Sequence, residues 1–209
     1  MGVIYLARHA ETVFNRAARM QGNDAHTPLT LAGVMQADAM GAALVAHFAA
    51  SGEAVPPIWC STAGRTQQTA AIVADHLGVD FFAIRQDARL REIEVGRWTG
   101  RSYAEIVAAE GPILDLDRRL FRMPIPGGES YADIAVRLRD WMREAGEGPM
   151  LVISHGMTAR VLRGILVGGP DYGGVPIAVD VPQGTVMRID KGAEVPLVVG
   201  SGVARMGAA

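Results

Sequence analysis

The chain has 209 residues, of which 49% are hydrophobic and 20% charged, with a formal net charge of −2; this describes an ordinary globular protein with enough chain for a sizeable core in one domain, residues 1–209. That charge balance gives no electrostatic reason to expect nucleic acid or an anionic membrane surface as a partner. Cys60 is the only cysteine, which excludes an internal disulfide framework and a cysteine metal cluster and fits a reducing, cytoplasmic setting.

Taken in chain order, Val3-Ile4-Tyr5-Leu6 reads as a short buried strand that meets charge at Arg8, too soon for a secretory leader. No apolar run approaches membrane-spanning length. Residues 23–28 read as a loop, after which Thr30 caps a long Ala-rich helix to about Ala50. Ile58-Trp59-Cys60 is a second strand, and Thr62 is placed to cap a helix to about Leu77. Phe81-Phe82-Ala83-Ile84 is a third strand candidate. Ser102-Tyr103-Ala104-Glu105 is a capping box that opens a short helix, and Ser130-Tyr131-Ala132-Asp133 opens a longer one with Ile134, Leu138, Trp141, Met142 and Ala145 at helical spacing. Met150-Leu151-Val152-Ile153 is the fourth strand, followed by a helix with Val161, Leu162, Ile165 and Leu166 as its apolar stripe. Residues 185–189 and 196–199 read as a closing hairpin, and the tail from about residue 200 as frayed. Strands alternating with helices predict a layered α/β/α domain with a largely parallel central sheet, whose ligands bind beyond the carboxyl ends of the strands.

Three segments follow strands directly and so fall on that rim: Arg8-His9-Ala10-Glu11-Thr12, Ser61 through Arg65, and Ser154-His155-Gly156. Ending a strand on adjacent Arg and His is costly for stability unless the cation is paired, whereas strand ends beside loops are where catalytic groups sit. Arg65 stands at a helix start, where free N–H groups and a guanidinium fork both suit phosphate. Taken singly, Arg65 is equally a surface arginine, His155 a core histidine and Glu92 a loop acid. His26, His47 and His76 read as loop, helix-face and helix-end residues.

Together the pieces resemble the histidine phosphatase superfamily, the phosphoglycerate mutase-like proteins. The resemblance runs through Arg8-His9-Ala10-Glu11-Thr12, Asn15, Gln21-Gly22, Pro28-Leu29-Thr30 with Gly33 and Gln36, and Ser61 with Arg65, Gln68 and Thr69. It continues through Leu90, Glu92, Gly96, Trp98 and Gly100, then Pro126-Gly127-Gly128-Glu129-Ser130, and ends at Ser154-His155-Gly156. It implies a phosphohistidine enzyme in which His9 attacks phosphorus, Arg8, Arg65 and His155 stabilise the phosphoryl oxygens, and Glu92 is the general acid. Asn15, Gln21, Gly22 and Gly156 complete the implied phosphate-binding set. With three donors on the phosphate, the resemblance calls for no metal and no other cofactor. The implied partner is a small-molecule phosphate ester, and a homodimer is left open.

Two positions depart from the family pattern: Ala10 where glycine is commonest, and Thr99 where Glu is frequent. Glu92 is followed by Ile93-Glu94-Val95-Gly96-Arg97-Trp98 rather than by Tyr-Gly, which resembles the phosphatase branch. A cofactor-dependent phosphoglycerate mutase is the alternative, and Arg118, Arg119 and Arg122 keep an anionic substrate tail in view. A non-catalytic binding member of the fold is the further alternative, and it predicts loss of one of the four central residues. Specificity is expected in residues 111–126 and 168–176.

Overall fold

The computed structural model describes residues 2–198 and 200. In chain order the elements are β1 (Ile4–Arg8), α1 (Val13–Arg16), α2 (Leu31–Ser51), β2 (Ile58–Cys60), α3 (Gly64–Leu77), β3 (Arg85–Gln86), α4 (Tyr103–Glu110), β4 (Leu114–Asp115), β5 (Leu120–Phe121), α5 (Tyr131–Ala145), β6 (Met150–Ser154), α6 (Gly156–Val167), β7 (Val186–Asp190) and β8 (Ala193–Val198). Six strands form one sheet in the order β3-β2-β6-β1-β7-β8, and β4 pairs with β5 separately. Strands β3, β2, β6 and β1 run parallel, while β7 and β8 are antiparallel additions beside β1.

The sheet is covered on both faces, and the two-residue period of the strands distributes its side chains accordingly. Ile4, Leu6, Met150 and Val152 join the core formed with Ile134, Leu138 and Trp141 of α5 and Val161 and Leu162 of α6. Tyr5, Ala7, Leu151 and Ile153 join Met40, Leu44 and Phe48 of α2 and Ala70, Val73 and Ala74 of α3. Each fully buried Leu, Ile, Val or Met among them contributes about 1.5–3 kcal/mol. This is the layered α/β/α architecture with a mostly parallel sheet expected from the strand–helix alternation. Cys60 is buried in the second core, which pushes its thiol up to about 12 and leaves it unreactive.

Three expectations are corrected. Phe81–Ala83 is a 3-10 turn, because the Asp80 side chain accepts the N–H of Phe82, and Phe82 is 90% exposed; only Arg85–Gln86 joins the sheet edge. Thr62 does not cap α3: Ala63 is the N-cap and makes no side-chain bond. By length and composition α2 does meet the requirement for a membrane span, against the reading that no run approaches it. One face of α2 packs along α3, burying Gly33, Ala37, Met40, Gly41, Leu44 and Phe48, and Asp38 reaches His76 at 2.8 Å. The closing hairpin forms as β7 and β8. Residue 199 and the tail from 201 lie outside the described residues, while Gly200 donates to Thr185 Oγ1 at 3.1 Å.

Candidate active site

The parallel pairings set the rim. Arg8 is opposite Ser154 and Cys60 is opposite Ile153, so the residues that follow β1, β2 and β6 emerge side by side at one edge. They bound a cavity of about 440 Å³ lined by Arg8, His9, Asn15, Gln21, Gly22, Arg65, Glu92 and Gly156, together with residues of neighbouring loops. His155 is fully buried behind this lining and is not on the cavity wall. Its ring stands edge-on to that of His9, with centroids 5.2 Å apart and planes at 64°.

His9 is held by backbone and side chain. Its N–H donates to Ser154 O at 2.9 Å, and its carbonyl accepts from Gln183 Nε2 at 2.9 Å. Its Nδ1 lies 2.8 Å from the carbonyl of Ala10; a carbonyl only accepts, so Nδ1 carries the proton and Nε2 keeps its lone pair. Burial, then the Arg65 and Arg8 charges, hold His9 well below the usual histidine range. The N–H of Ala10 donates to Thr69 Oγ1 at 3.1 Å. Ala10 is not among the residues with positive φ, so an alanine at this position carries no left-handed strain.

Arg65 enters from the first turn of α3 and is completely buried. Its guanidinium donates to the carbonyls of Asp24 and Gly22, to Thr27 Oγ1 at 3.0 Å, and through Nε to His155 Nδ1 at 3.2 Å. Burial lowers it to about 10. Since a guanidinium only donates, Nδ1 of His155 bears the lone pair and Nε2 the proton, and Nε2 is buried without a partner. Burial, followed by Arg65 and His9, holds His155 well below the usual range. Gly22 has φ +49°, and a Cβ there would lie 2.6 Å from Val95 Cγ2, so the turn that aims its carbonyl at Arg65 requires glycine.

Arg8 lies against the start of α6. A Cβ on Gly156 would stand 3.3 Å from Arg8 Cζ, so the absent side chain is what admits the guanidinium, and Arg8 Nε is buried without a partner. Glu92 also reaches this helix end. Its carboxylate accepts the N–H groups of Met157 at 3.3 Å and Thr158 at 3.1 Å, plus its own neighbour Ile93 at 3.0 Å. The amino end of a helix favours an anion there. Asn15 closes the α1 capping box, with Oδ1 accepting the N–H of Thr12 at 3.1 Å, and Gln21 Oε1 takes the Thr12 hydroxyl at 2.8 Å.

The sequence reading passed over Gln183, which braces His9, and the polar residue Asp180 on the same wall. Both precede β7. Because β7 runs antiparallel to β1, its entry lies beside the carboxyl end of β1, and that pairing has no local signature. Among the described residues no group of three or more His, Cys, Asp or Glu side chains is arranged to hold a metal ion. Chemically, the arrangement offers an unprotonated ring nitrogen, two guanidiniums and a carboxyl group around one space.

Residues 4–200 match the family described as the histidine phosphatase superfamily, branch 1. A protein from Yersinia enterocolitica named "Probable phosphoglycerate mutase GpmB" is 34% identical over 178 residues, covering 81% of this chain and 76% of the relative. Among solved structures, mycobacterial hydrolase 1 superposes with a TM-score of 0.73 at 24% identity, covering 97% of this chain and 99% of that one. The mycobacterial glucosyl-3-phosphoglycerate phosphatase in complex with VO3 has a TM-score of 0.72 at 25% identity, covering 95% and 98%.

Proposed function

The chain belongs to the histidine phosphatase superfamily, and on that premise we propose that it hydrolyses the phosphate monoester of a small molecule through a phosphohistidine at His9. The observation that carries this reading is the state of His9: a buried, neutral imidazole whose Nδ1 is committed to a carbonyl, so that Nε2 is the available nucleophile.

The steps follow from the donors around it. The Nε2 lone pair attacks phosphorus as the P–O bond to the leaving alcohol breaks, and Glu92 gives that oxygen its proton. Arg8, Arg65 and the Nε2–H of His155 stabilise the equatorial oxygens, with Asn15 as a polar supplement; the two guanidinium charges supply the charge stabilisation that a metal ion would otherwise give. Glu92, now a carboxylate, then takes a proton from water as the water oxygen attacks phosphorus. The P–N bond breaks, inorganic phosphate leaves, and the lone pair returns to Nε2. Gln21 and Gly22 act through Thr12 and Arg65, holding the loop in place.

A mutase uses the same first step, and the name carried by the Yersinia relative favours it. The segment following Glu92 supports hydrolysis instead. Release of inorganic phosphate from a panel of phosphate esters, with and without 2,3-bisphosphoglycerate, separates the two. Hydrolysis predicts phosphate release without the bisphosphate; a strict requirement for it, with transfer between positions of 3-phosphoglycerate, would establish the mutase.

A further inference from the structure

Glu92 sits outside any helix or strand, yet an acid that must meet a leaving oxygen needs a fixed carboxylate. The three carbonyls before it each accept a side-chain donor from a different element. Arg89 O takes Arg137 Nη1 of α5, Leu90 O takes the Ser154 hydroxyl of β6 at 2.9 Å, and Arg91 O takes the Thr158 hydroxyl of α6 at 2.6 Å. On the other side of Glu92, the N–H of Glu94 donates to Glu129 Oε2 at 3.0 Å, and the Glu94 carbonyl accepts the N–H of Glu129 at 2.8 Å. Arg137 donates to Glu129 at 3.1 and 3.2 Å, and Arg91 Nη2 donates to it at 2.8 Å. The Arg137 and Glu129 side chains are nearly buried, 9% and 13% exposed. A buried ion pair is weak evidence for stability, so its place around one acid calls for another reason.

The Thr158 hydroxyl is the link between this pair and the acid. It gives its one proton to Arg91 O, accepts from Arg137 Nη2 at 3.4 Å and stands 3.3 Å from Glu92 Oε1. Oε1 already accepts the N–H groups of Ile93 and Thr158. That leaves Oε2, with one longer contact to Met157 at 3.3 Å, as the oxygen free to carry a transferable proton. We propose that Arg137, Glu129 and Thr158 are positioning residues for the reaction, a buried brace that holds Glu92 with Oε2 available to the leaving group. This rests on the reading of Glu92 as the acid. None of the three lines the cavity, so their effect reaches the substrate only through Glu92.

The test measures kcat and KM for an alkyl phosphate, sn-glycerol 3-phosphate or propyl phosphate, and for p-nitrophenyl phosphate. Thr158→Val removes only the hydroxyl, and Arg137→Lys keeps the charge but not the guanidinium fork. Each should lower kcat for the alkyl ester by ~10- to 100-fold, the cost of a displaced catalytic group, and leave kcat for the aryl ester and KM for both near wild type. Thr158→Ser, which restores the hydroxyl, should recover most of the loss. The ratio of the two kcat values within one variant is insensitive to the fraction folded, so general destabilisation does not imitate this pattern. Equal losses for both esters in Thr158→Val and Arg137→Lys, or no loss for either, while Glu92→Gln still spares the aryl ester, overturns the brace alone. Equal losses in Glu92→Gln as well, or a wild type that hydrolyses only the aryl ester, removes the acid on which the brace acts. A wild type that hydrolyses neither ester overturns the phosphatase reading beneath both.

Discussion

His9 and His155 stand 5.2 Å apart in opposite tautomers. The Ala10 carbonyl takes the proton of His9 Nδ1, and Arg65 Nε–H occupies the lone pair of His155 Nδ1. One ring therefore keeps a nucleophilic Nε2 and the other a donating Nε2–H. Two identical side chains acquire different chemistry from their second nitrogens, and neither needs to change charge to act.

Burial of both rings in neutral form has a consequence for stability. Folding takes each from the ordinary ~6.5 to well below it, so between those values the unfolded chain binds more protons than the folded one. Their contribution is full well above pH 6.5 and is lost as pH falls through it, the slope approaching about 1.4 kcal/mol per pH unit for each histidine once the unfolded chain is fully protonated. Denaturant midpoints of the ligand-free protein between about pH 7.5 and 5.5 should show a loss of about 1.4 kcal/mol for each histidine over that whole interval. His9→Asn and His155→Asn should each reduce it; a loss identical in all three proteins would contradict the neutral burial.

Glu92→Gln should separate substrates by leaving group. An alkyl phosphate needs its leaving oxygen protonated and should lose ~10²- to 10⁴-fold in kcat, whereas p-nitrophenyl phosphate, whose phenolate leaves unaided, should lose far less. Equal losses for both would remove Glu92 from the role of acid and direct attention to Glu11, which also lines the cavity.

Gly156→Ala should uncouple stability from activity. Alanine is favoured over glycine in a helix by roughly 0.5–1 kcal/mol, and the added Cβ meets only the end of the Arg8 side chain, at 3.3 Å from Cζ. Arg8 must then shift by a fraction of an ångström, which should lower kcat/KM by ~10-fold while the melting temperature holds or rises. Full activity in this variant would mean that the position of Arg8 is not limiting.

Turnover should survive EDTA and be blocked by vanadate, whose five-coordinate form resembles in-line transfer and should be held by the same guanidiniums. The similar mycobacterial phosphatase has been solved with VO3. Activity lost in EDTA and restored by a divalent ion would contradict the proposed mechanism.

The parts legible in the sequence were those governed by local rules. β1, β2 and β6 are short apolar runs buried on both faces, and Ser102 and Ser130 announce their helices through capping boxes that form as read. Phe81 and Phe82 misled because an apolar run is a strand signal only if it is buried, and these rings are half to fully exposed. For the candidate site, the residues directly after β1, β2 and β6 fall on one rim because parallel strands share an end. Glu92 is different: nothing local ties it to the start of α6, and only its place in the family pattern singled it out. Gln183 and Asp180 escaped notice because the nearness of Gln183 to His9, and the place of both on the cavity wall, depend on an antiparallel neighbour paired across more than 170 residues. The β4–β5 hairpin was invisible for a simpler reason, since two-residue strands carry no period.

The most direct measurement is the identity of the phosphorylated residue. Rapid quenching at alkaline pH during turnover of a phosphate ester, followed by proteolysis and mass spectrometry, should find one phosphoryl group on His9, bonded to Nε2, and none on His155. His9→Ala should abolish both the adduct and phosphate release while retaining the wild-type circular dichroism spectrum. Phosphate released at the wild-type rate by folded His9→Ala, or a phosphoryl group mapped to His155, would contradict the account.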